Sequence, residues 1–351
     1  MYKELAIYFG VFTITIIGVN AFRLWSIDRQ LLDIPNDRSS HIHPTPRGGG
    51  VIICLVSLVT FCIYLIYTGQ TIKWSFFAGA LIVALISLID DVKTISPLFR
   101  ILFHSLAAGL VVFELGGFEK VYISFYGNIE IGLVGYVFAF LWIVWLINAY
   151  NFMDGIDGIA ALQAVTAGIG WCLIGYIYGA DDISFLGGVL ASASLGFLIF
   201  NWQPAKIFMG DVGSAFLGYS FAVLPILCLK RVNSIENVGF LPLIGILLVW
   251  FFLFDSVLTF LKRLFRREKV WQAHREHIYQ KLLIAGSTHS KITTIYGLAS
   301  IILVLTLVIF LKYSLSFEKI VLPVTLIETV LLLLILLKKL GKKSSISDQK
   351  I

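Results

Sequence analysis

The chain has 351 residues, of which 58% are hydrophobic and only 14% are charged, and its mean hydropathy is +0.91. A soluble domain of average composition carries about 25% charged residues, so these values exclude an ordinary soluble protein and indicate an integral membrane protein. The net charge of +6 is explained by basic residues concentrated at one membrane face and gives no reason to expect nucleic-acid binding.

About eleven apolar windows of about 20 residues predict transmembrane helices. They lie near residues 5–25, 50–68, 73–89, 99–115, 131–147, 158–178, 184–200, 212–229, 238–260, 293–312 and 319–337. The windows are continuously apolar and not alternating, which favours an all-α architecture over a β-barrel. We therefore expect one polytopic membrane domain over residues 1–351, whose first helix is retained and is not a cleaved signal peptide.

The positions of lysine and arginine predict the orientation of these helices. If the N-terminus is outside, the inner connections and the C-terminal tail hold 20 of the 27 basic residues. Because basic residues concentrate on the cytoplasmic side, we expect the N-terminus outside and the C-terminus in the cytoplasm. The cytoplasmic loops that would form an active site are then residues 26–49, 90–100, 148–157, 201–211 and 261–292.

The first two inner loops carry charged motifs beside apolar runs. Arg47 is followed by three glycines, which form either a simple turn or, with the guanidinium, a site for an anionic ligand. Asp90 and Asp91 end the third apolar run. They either stop a helix as solvated charges, or bind a divalent cation and act as a base, since repulsion between adjacent carboxylates keeps one of them basic.

In the third inner loop, polar side chains recur at every third position: Asn148, Asn151, Asp154 and Asp157. This spacing places neighbours on roughly one side of a helical turn. Gly155 permits close approach of the backbone to a ligand. Four such side chains exceed what helix capping needs and indicate a binding site, although Asp157 alone could be the N-cap of the next helix.

Asp211 opens the eighth apolar run and is flanked by Gly210 and Gly213. A lone Asp before a helix is usually a cap. Here the glycines leave backbone N–H groups accessible at a helix N-terminus, which predicts a phosphate site. The carboxylate would add a hard oxygen ligand of the kind that Mg²⁺ prefers.

The fifth inner loop carries His274, Arg275 and His277 after a basic stretch. One interpretation is a positive-inside stop with an interfacial Trp271; the other is a clamp for a diphosphate. Zinc is disfavoured because no third ligand has metal spacing. Asp255, in the ninth run, either faces the same cleft or pairs with Arg263.

Other features give little reason to expect chemistry. The four cysteines lie in apolar runs and are interpreted as buried thiols without a disulfide framework. Residues 116–128 have the aromatic and turn residues of a small β-hairpin. No Gly-x-x-x-x-Gly-Lys-Ser/Thr sequence supports an ATP-binding P-loop.

Together, the motifs resemble those of the polyprenyl-phosphate N-acetylhexosamine-1-phosphate transferases of glycosyl transferase family 4, over residues 33 to 281. The loops around Arg47 and His274 are most similar to the branch that starts O-antigen chains in lipopolysaccharide biosynthesis. The resemblance implies transfer of a sugar 1-phosphate from a UDP-N-acetylhexosamine to undecaprenyl phosphate with release of UMP. It also implies a Mg²⁺ cofactor, with Mn²⁺ as an alternative ion.

The resemblance implies roles residue by residue. Asp211 corresponds to the principal Mg²⁺ ligand and Asn151 to a second ligand, while Asp90, supported by Asp91, would activate the lipid phosphate. The uridine nucleotide would contact Asp154, Gly155, Ile156, Asp157, Asn201 and the stacking ring of Phe208. The diphosphate and sugar would meet Arg47, His274, Arg275 and His277, although Arg275 interrupts the denser histidine cluster of better-known branches.

Two other functions stay open at this point. One is a phospho-N-acetylmuramoyl-pentapeptide transferase, against which the interrupted histidine loop argues. The other is a cation-coupled transporter, against which the position of the acids at helix ends argues, because carriers place such groups near the midplane. In each case we expect a multi-pass protein of the inner (plasma) membrane in contact with lipid, with a cytoplasmic site; a homodimer is left open.

Overall fold

The computed structural model describes residues 2–35, 43–232, 238–269 and 274–348. This part of the chain forms thirteen helices and four short strands. The helices are α1 Tyr2–Asp28, α2 Gly50–Thr68, α3 Trp74–Val92, α4 Pro97–Leu115, α5 Val134–Met153, α6 Ile159–Ile177, α7 Asp181–Asn201, α8 Gly210–Leu229, α9 Phe240–Leu248, α10 Trp250–Phe265, α11 Ile278–Ile284, α12 His289–Lys312 and α13 Val321–Asp348. The strands are β1 Leu32–Asp33, β2 Thr45–Pro46, β3 Lys120–Ile123 and β4 Gly127–Glu130.

Ten of the described helices are long and apolar enough to cross a membrane, and the pair α9 and α10 raises the number to as many as eleven. This confirms the predicted all-α membrane architecture. The apolar window at 238–260 is not one continuous helix, because α9 and α10 meet at an angle of 83°. The buried Gln163 donates to the Leu248 carbonyl at 2.8 Å, and Phe252 N–H bonds to Val249 instead. A side chain that takes a carbonyl out of the helical ladder is a recognised cause of a kink.

The helices extend further into the predicted inner loops than hydropathy indicated. Asp90 and Asp91 lie in the last turn of α3, and Asn148 and Asn151 lie within the last two turns of α5. The cause is visible at Asn148, whose side chain donates to the carbonyl four residues earlier at 2.7 Å and so remains compatible with the helix. The predicted loop 148–157 therefore begins only after Met153.

Helix α8 is the central helix of the bundle: 94% of its membrane span is buried inside the protein, against 17% for α1. It packs against α2, α3 and α5. Because its first turn carries Asp211, this aspartate lies at the axis of the bundle and within reach of several neighbouring helix ends.

The opposite end of the bundle carries the predicted hairpin, which the antiparallel pair β3–β4 confirms. The Tyr122 ring stacks on Phe240 and its hydroxyl donates to Glu318. At the same end Arg231 pairs with Asp182 at 2.8 Å. The acidic motifs lie at the other end, so the expectation that they share one membrane face is confirmed.

Candidate active site

Three carboxylates and two guanidinium groups meet at the motif-bearing end of the bundle. Arg47 Nη2 lies 2.7 Å from Asp91 Oδ1 and 2.8 Å from Asp211 Oδ1. Arg100 Nη1 lies 2.8 Å from Asp90 Oδ2 and 3.5 Å from Asp211 Oδ2. We call Asp90, Asp91 and Asp211 the carboxylate cluster. Three acids against two arginines leave a formal charge of −1, which favours a further cation.

The loop that carries Arg47 is fixed by main-chain pairing with the segment before α8. Phe208 N–H donates to Pro46 O at 2.8 Å, and the N–H groups of Gly48 and Gly49 donate to Phe208 O at 3.1 and 3.0 Å. Gly210 has φ +77°, where a side chain would be strained. The glycine-rich loop is therefore bonded through its backbone to the segment at Phe208. This pairing holds Arg47 next to the carboxylate cluster.

The N-terminus of α8 already holds an anion. Asp211 N–H and Val212 N–H donate to Asp91 Oδ2 at 3.1 and 3.4 Å. The sequence predicted a phosphate at these N–H groups, whereas the structure places the Asp91 carboxylate there. The helix terminus suits either anion, and the neighbouring carboxylate supplies the charge from within the chain.

Asn151 is held beside α8 through Ser214, whose hydroxyl donates to Asn151 Oδ1 at 2.8 Å. Ser214 follows Asp211 by three residues, so Asn151 is bonded to the first turn of the helix that carries Asp211. Hard oxygen donors of this type fit Mg²⁺, and Arg47 Nη2 shows that one cationic atom can contact both Asp91 and Asp211. Among the described residues, no three His, Cys, Asp or Glu side chains converge on a single metal position; Mg²⁺ commonly uses one or two carboxylates with phosphates and water.

Asp154 directly follows α5, and its pKa is raised well above the ordinary value. Burial of the carboxyl is the main cause, and the negative charge of Asp211 adds to it. A cation beside this carboxyl would favour its ionised form. Binding of a cation at the cluster is therefore expected to release protons.

Asp157 and Asn201 connect the loop after α5 with the loop after α7 through hydrogen bonds. Asp157 accepts from Ala205 N–H at 3.0 Å, and its other oxygen lies 3.1 Å from His289 Nδ1. Asn201 is 3% exposed; it accepts from Gly158 N–H and donates to Ile207 O, both at 3.0 Å. Asp157 is not the N-cap of α6, because that position is Gly158. As nucleotide contacts, Asp157 and Asn201 stay predictions.

The late loop docks onto the end of α5 beside the Asn–Asp run. Tyr279 OH donates to Phe152 O at 3.0 Å. A Cβ at Gly155 would collide with the same hydroxyl, so only glycine permits this approach. Ile156 is buried at 5% exposure and anchors the run between these contacts.

Within the late loop, His277 is held by the fully buried Asp255, with 3.0 Å between His277 Nδ1 and Asp255 Oδ1. The predicted alternative that Asp255 pairs with Arg263 is wrong: Arg263 lies 3.5 Å from Glu268 and 3.7 Å from Glu276. The longer side chains of these glutamates meet the guanidinium at the loop, away from the carboxylate of Asp255.

The other two predicted residues of this loop, His274 and Arg275, differ in their surroundings. The His274 ring lies 5.0 Å from that of His277, centroid to centroid, and Arg275 is exposed. Burial, followed by the neighbouring His277 and Arg263, lowers the pKa of His274 to about 4. The predicted interfacial Trp271 lies outside the described residues, as do 36–42 of the first loop.

Sequence reasoning missed three polar side chains at this end of the bundle, namely Arg100, Ser214 and His289. Arg100 was only counted as a basic residue of its loop, although a lone arginine at the start of an apolar run opposite an Asp pair is itself a signal. His289 and Ser214 carry no such signal, because their partners are distant in sequence.

Comparison with known proteins agrees with the motifs. The model of "Glycosyl transferase family 4" matches residues 73–229, which include the carboxylate pair of α3, the Asn–Asp run and Asp211. The chain is 27% identical over 261 residues to a probable undecaprenyl-phosphate N-acetylglucosaminyl 1-phosphate transferase of Bacillus subtilis, covering 74% of this chain and 71% of the relative.

Two further relatives are phospho-N-acetylmuramoyl-pentapeptide-transferases. The one from Listeria monocytogenes is 28% identical over 273 residues, 71% of this chain and 80% of the relative. The one from Streptococcus pyogenes is 32% identical over 198 residues, 52% of this chain and 59% of the relative. With the membrane-spanning bundle, these findings show an integral membrane protein that is similar, over residues 73–229, to enzymes of glycosyl transferase family 4.

Proposed function

We propose that the protein transfers N-acetylhexosamine 1-phosphate from a UDP-sugar to undecaprenyl phosphate at the cytoplasmic face of the plasma membrane, as the first step of a surface polysaccharide such as O-antigen. The observation that carries the proposal is the carboxylate cluster with Asn151 beside it at one membrane end. A lipid phosphate and a soluble nucleotide can meet only at headgroup depth, and the position of these residues at the ends of membrane-spanning helices supports a site there.

The reaction joins a phosphate oxygen of the lipid to the β-phosphorus of the UDP-sugar. The bond between that phosphorus and the oxygen bridging to the α-phosphate breaks, and UMP leaves with the bonding electrons. Two anions must approach in line, so the site has to neutralise charge and fix geometry. Arg47 and Arg100 supply two positive charges at the place where the anions would meet.

A Mg²⁺ ion, with Mn²⁺ as an alternative, would be held by Asp211 and Asn151 together with substrate phosphate. When bound, it supplies charge neutralisation on the leaving phosphate. This assignment is supported by the hard oxygen donors and by the residual negative charge of the carboxylate cluster.

Asp90 is the residue that we assign to activation of the lipid phosphate. Its two oxygens are fixed separately: Ile95 N–H donates to Oδ1 at 2.9 Å and Arg100 lies 2.8 Å from Oδ2. Because the carboxylate is already held in one orientation, it can accept a proton from the lipid phosphate without first changing its rotamer. Asp91 acts as support, because it holds both Arg47 and the N-terminus of α8.

The donor is proposed to lie between the Asn–Asp run and the late loop. We assign the nucleotide to Asp154, Gly155, Ile156, Asp157, Asn201 and Phe208, and the diphosphate and sugar to Arg47, His274, Arg275 and His277. The contact between Tyr279 and Phe152, which joins the two regions, supports this arrangement.

The test is release of UMP by the purified protein with undecaprenyl phosphate, Mg²⁺ and a panel of UDP-sugars. The panel contains UDP-N-acetylglucosamine, UDP-N-acetylgalactosamine and UDP-N-acetylmuramoyl-pentapeptide. UMP release with either of the first two is the expected result. No release with any donor would overturn the proposal, and flux through proteoliposomes without UMP would indicate a transporter.

The second candidate is a phospho-N-acetylmuramoyl-pentapeptide transferase, which the Listeria and Streptococcus relatives favour. The interrupted histidines around Arg275 argue against it. UMP release only with the pentapeptide donor, or displacement of the simple UDP-sugar by it in competition, would establish this alternative.

A further inference from the structure

Asp255 is an unusual group for its surroundings: a fully buried carboxyl on α10, without an arginine or lysine partner among the described residues. Its oxygens accept from Ile278 N–H at 2.9 Å, Tyr279 N–H at 3.3 Å, Tyr296 OH at 3.2 Å and Thr259 OH at 3.2 Å. His277 Nδ1 is a further contact at 3.0 Å. A carboxyl surrounded by donors in this way acts as a hydrogen-bond acceptor.

The contact to His277 has a consequence for the imidazole. A carboxylate partner at Nδ1 favours the tautomer in which Nδ1 carries the hydrogen and the lone pair lies on Nε2. The ring is 4% exposed and stacks on Tyr279 at 5.7 Å with an angle of 17°. Its orientation is therefore fixed on one side by the carboxylate and on one face by an aromatic ring.

Helix capping alone does not explain this arrangement. The first turn of α11 already has a cap, because the Gln280 side chain accepts from the His277 N–H at 3.2 Å. Neutral serine, threonine or asparagine side chains suffice for such caps. Burying a charged group costs free energy unless its interactions compensate for the lost hydration. Beyond capping, Asp255 adds a contact with the ionisable ring of His277.

The ring is also tied to the proposed donor site. Its stacking partner Tyr279 donates to Phe152 O, one residue after Asn151, and its hydroxyl touches Gly155. A shift of the late loop would therefore move His277 relative to the Asn–Asp run. Asp255, on a different helix, is the group that fixes this loop from behind.

We propose that Asp255 is a positioning residue: it holds His277 in the Nδ1–H tautomer so that Nε2 is presented to the diphosphate of the bound donor. This inference rests on the proposed function. The carboxylate stays in place throughout, and the imidazole Nε2 is available to exchange a proton or hydrogen bond with a donor phosphate. The organisation follows the general rule that a second group fixes the tautomer of a functional histidine.

The first test reads the tautomer directly. Nitrogen NMR of the full-length protein labelled at histidine, with His277→Gln to assign the signal among six histidines, is expected to show hydrogen on Nδ1. Hydrogen on Nε2 in the unsubstituted protein would overturn the proposal, and this result does not depend on whether any variant at Asp255 folds.

The second test is a double-mutant cycle read by UMP release. Asp255→Asn and His277→Gln are each expected to lower kcat by about 100-fold, a typical effect for a residue in proton transfer. The double variant is expected to be no slower than His277→Gln alone, because Asp255 acts through the ring. Multiplying losses would show that Asp255 acts independently of His277 and would overturn the inference.

Thr259→Val is the matched control, because it removes another hydrogen bond to Asp255 Oδ1 without touching the imidazole. Its kcat is expected to stay within about twofold of the unsubstituted protein, as for a bond that acts on stability alone. A loss equal to that of Asp255→Asn would reassign the effect to packing around the carboxyl. Absence of activity in the unsubstituted protein would instead count against the proposed function, so the two failures are distinguishable.

Discussion

Replacement of Arg100 by methionine should remove the ion pairs that Arg100 forms with Asp90 and Asp211, while preserving most of the side-chain volume. Arg100 and Asp90 are 22% and 8% exposed and lie 2.8 Å apart, and Asp211 lies 3.5 Å away. Two charges about 4 Å apart at an effective dielectric of about 20 interact by about 4 kcal/mol. Partial solvent access and the desolvation of the arginine offset roughly half of that, so we expect a net loss of about 2 kcal/mol.

The assay compares Arg100→Met with Arg231→Met. Arg231 pairs with Asp182 at the same 2.8 Å, with exposures of 29% and 9%, but at the opposite end of the bundle. Both variants should lower the midpoint of heat unfolding in detergent by a similar amount, about 5 °C. Only Arg100→Met should also lower kcat/KM, by about 30-fold, the equivalent of about 2 kcal/mol.

The two measurements separate stability from function. If Arg100→Met retains full kcat/KM at a temperature where it is folded, its charge is not needed at the site. If Arg231→Met loses as much activity as Arg100→Met, the loss reflects general destabilisation. Either result would refute the assignment of Arg100 to the active site.

Three further predictions concern the same region. Asp211→Ala and Asp90→Ala should each abolish UMP release while the protein still inserts into membranes; substantial turnover in either variant removes that residue from its proposed role. Gly155→Ala should weaken donor binding because its methyl group collides with the Tyr279 hydroxyl, and Tyr279→Phe in the same chain should restore part of the donor affinity; no restoration would count against the collision. Since burial lowers the pKa of His274 to about 4, from an ordinary value of 6.5, the folded state should lose stability as pH falls from about 6.5 to about 4. His274→Asn should reduce this loss in unfolding measured at pH 7 and pH 5, and an unchanged pH dependence would contradict the burial of the ring.

Much of the architecture could be read from the sequence because hydrocarbon imposes it. Runs of about 20 apolar residues have few alternatives to a membrane helix, and Asp90, Asn151 and Asp211 each follow or open such a run. In a chain that crosses the membrane repeatedly, every second connection lies on the same side. Counting the spans was therefore enough to predict that these three residues lie at one face. The kink at Val249 did not, because the side chain that stabilises it, Gln163, belongs to another helix.

The connections within the site were less accessible to sequence analysis. The acids could be recognised as a group by type and spacing, but their individual partners depend on packing across the bundle. Asp157 bonds to Ala205 and lies beside His289, although the motif places it with a nucleotide. Asp255 was noticed as a charge in an apolar run, yet its contact to His277 arises only where α10 passes behind the late loop.

The burial of α8 has a consequence for how the enzyme responds to its lipid environment. A bilayer that is thicker or thinner than the apolar spans acts by tilting helices that face lipid, at a cost of fractions of a kcal/mol per ångström. Helix α1, with 17% of its span buried, is open to this force, whereas α8, with 94% buried, contacts almost only protein. Among the described spans, Asp211 is thus attached to the one with the largest buried share, so its depth is set mainly by the neighbouring helices. Turnover should consequently vary little with acyl-chain length as long as the bundle stays intact.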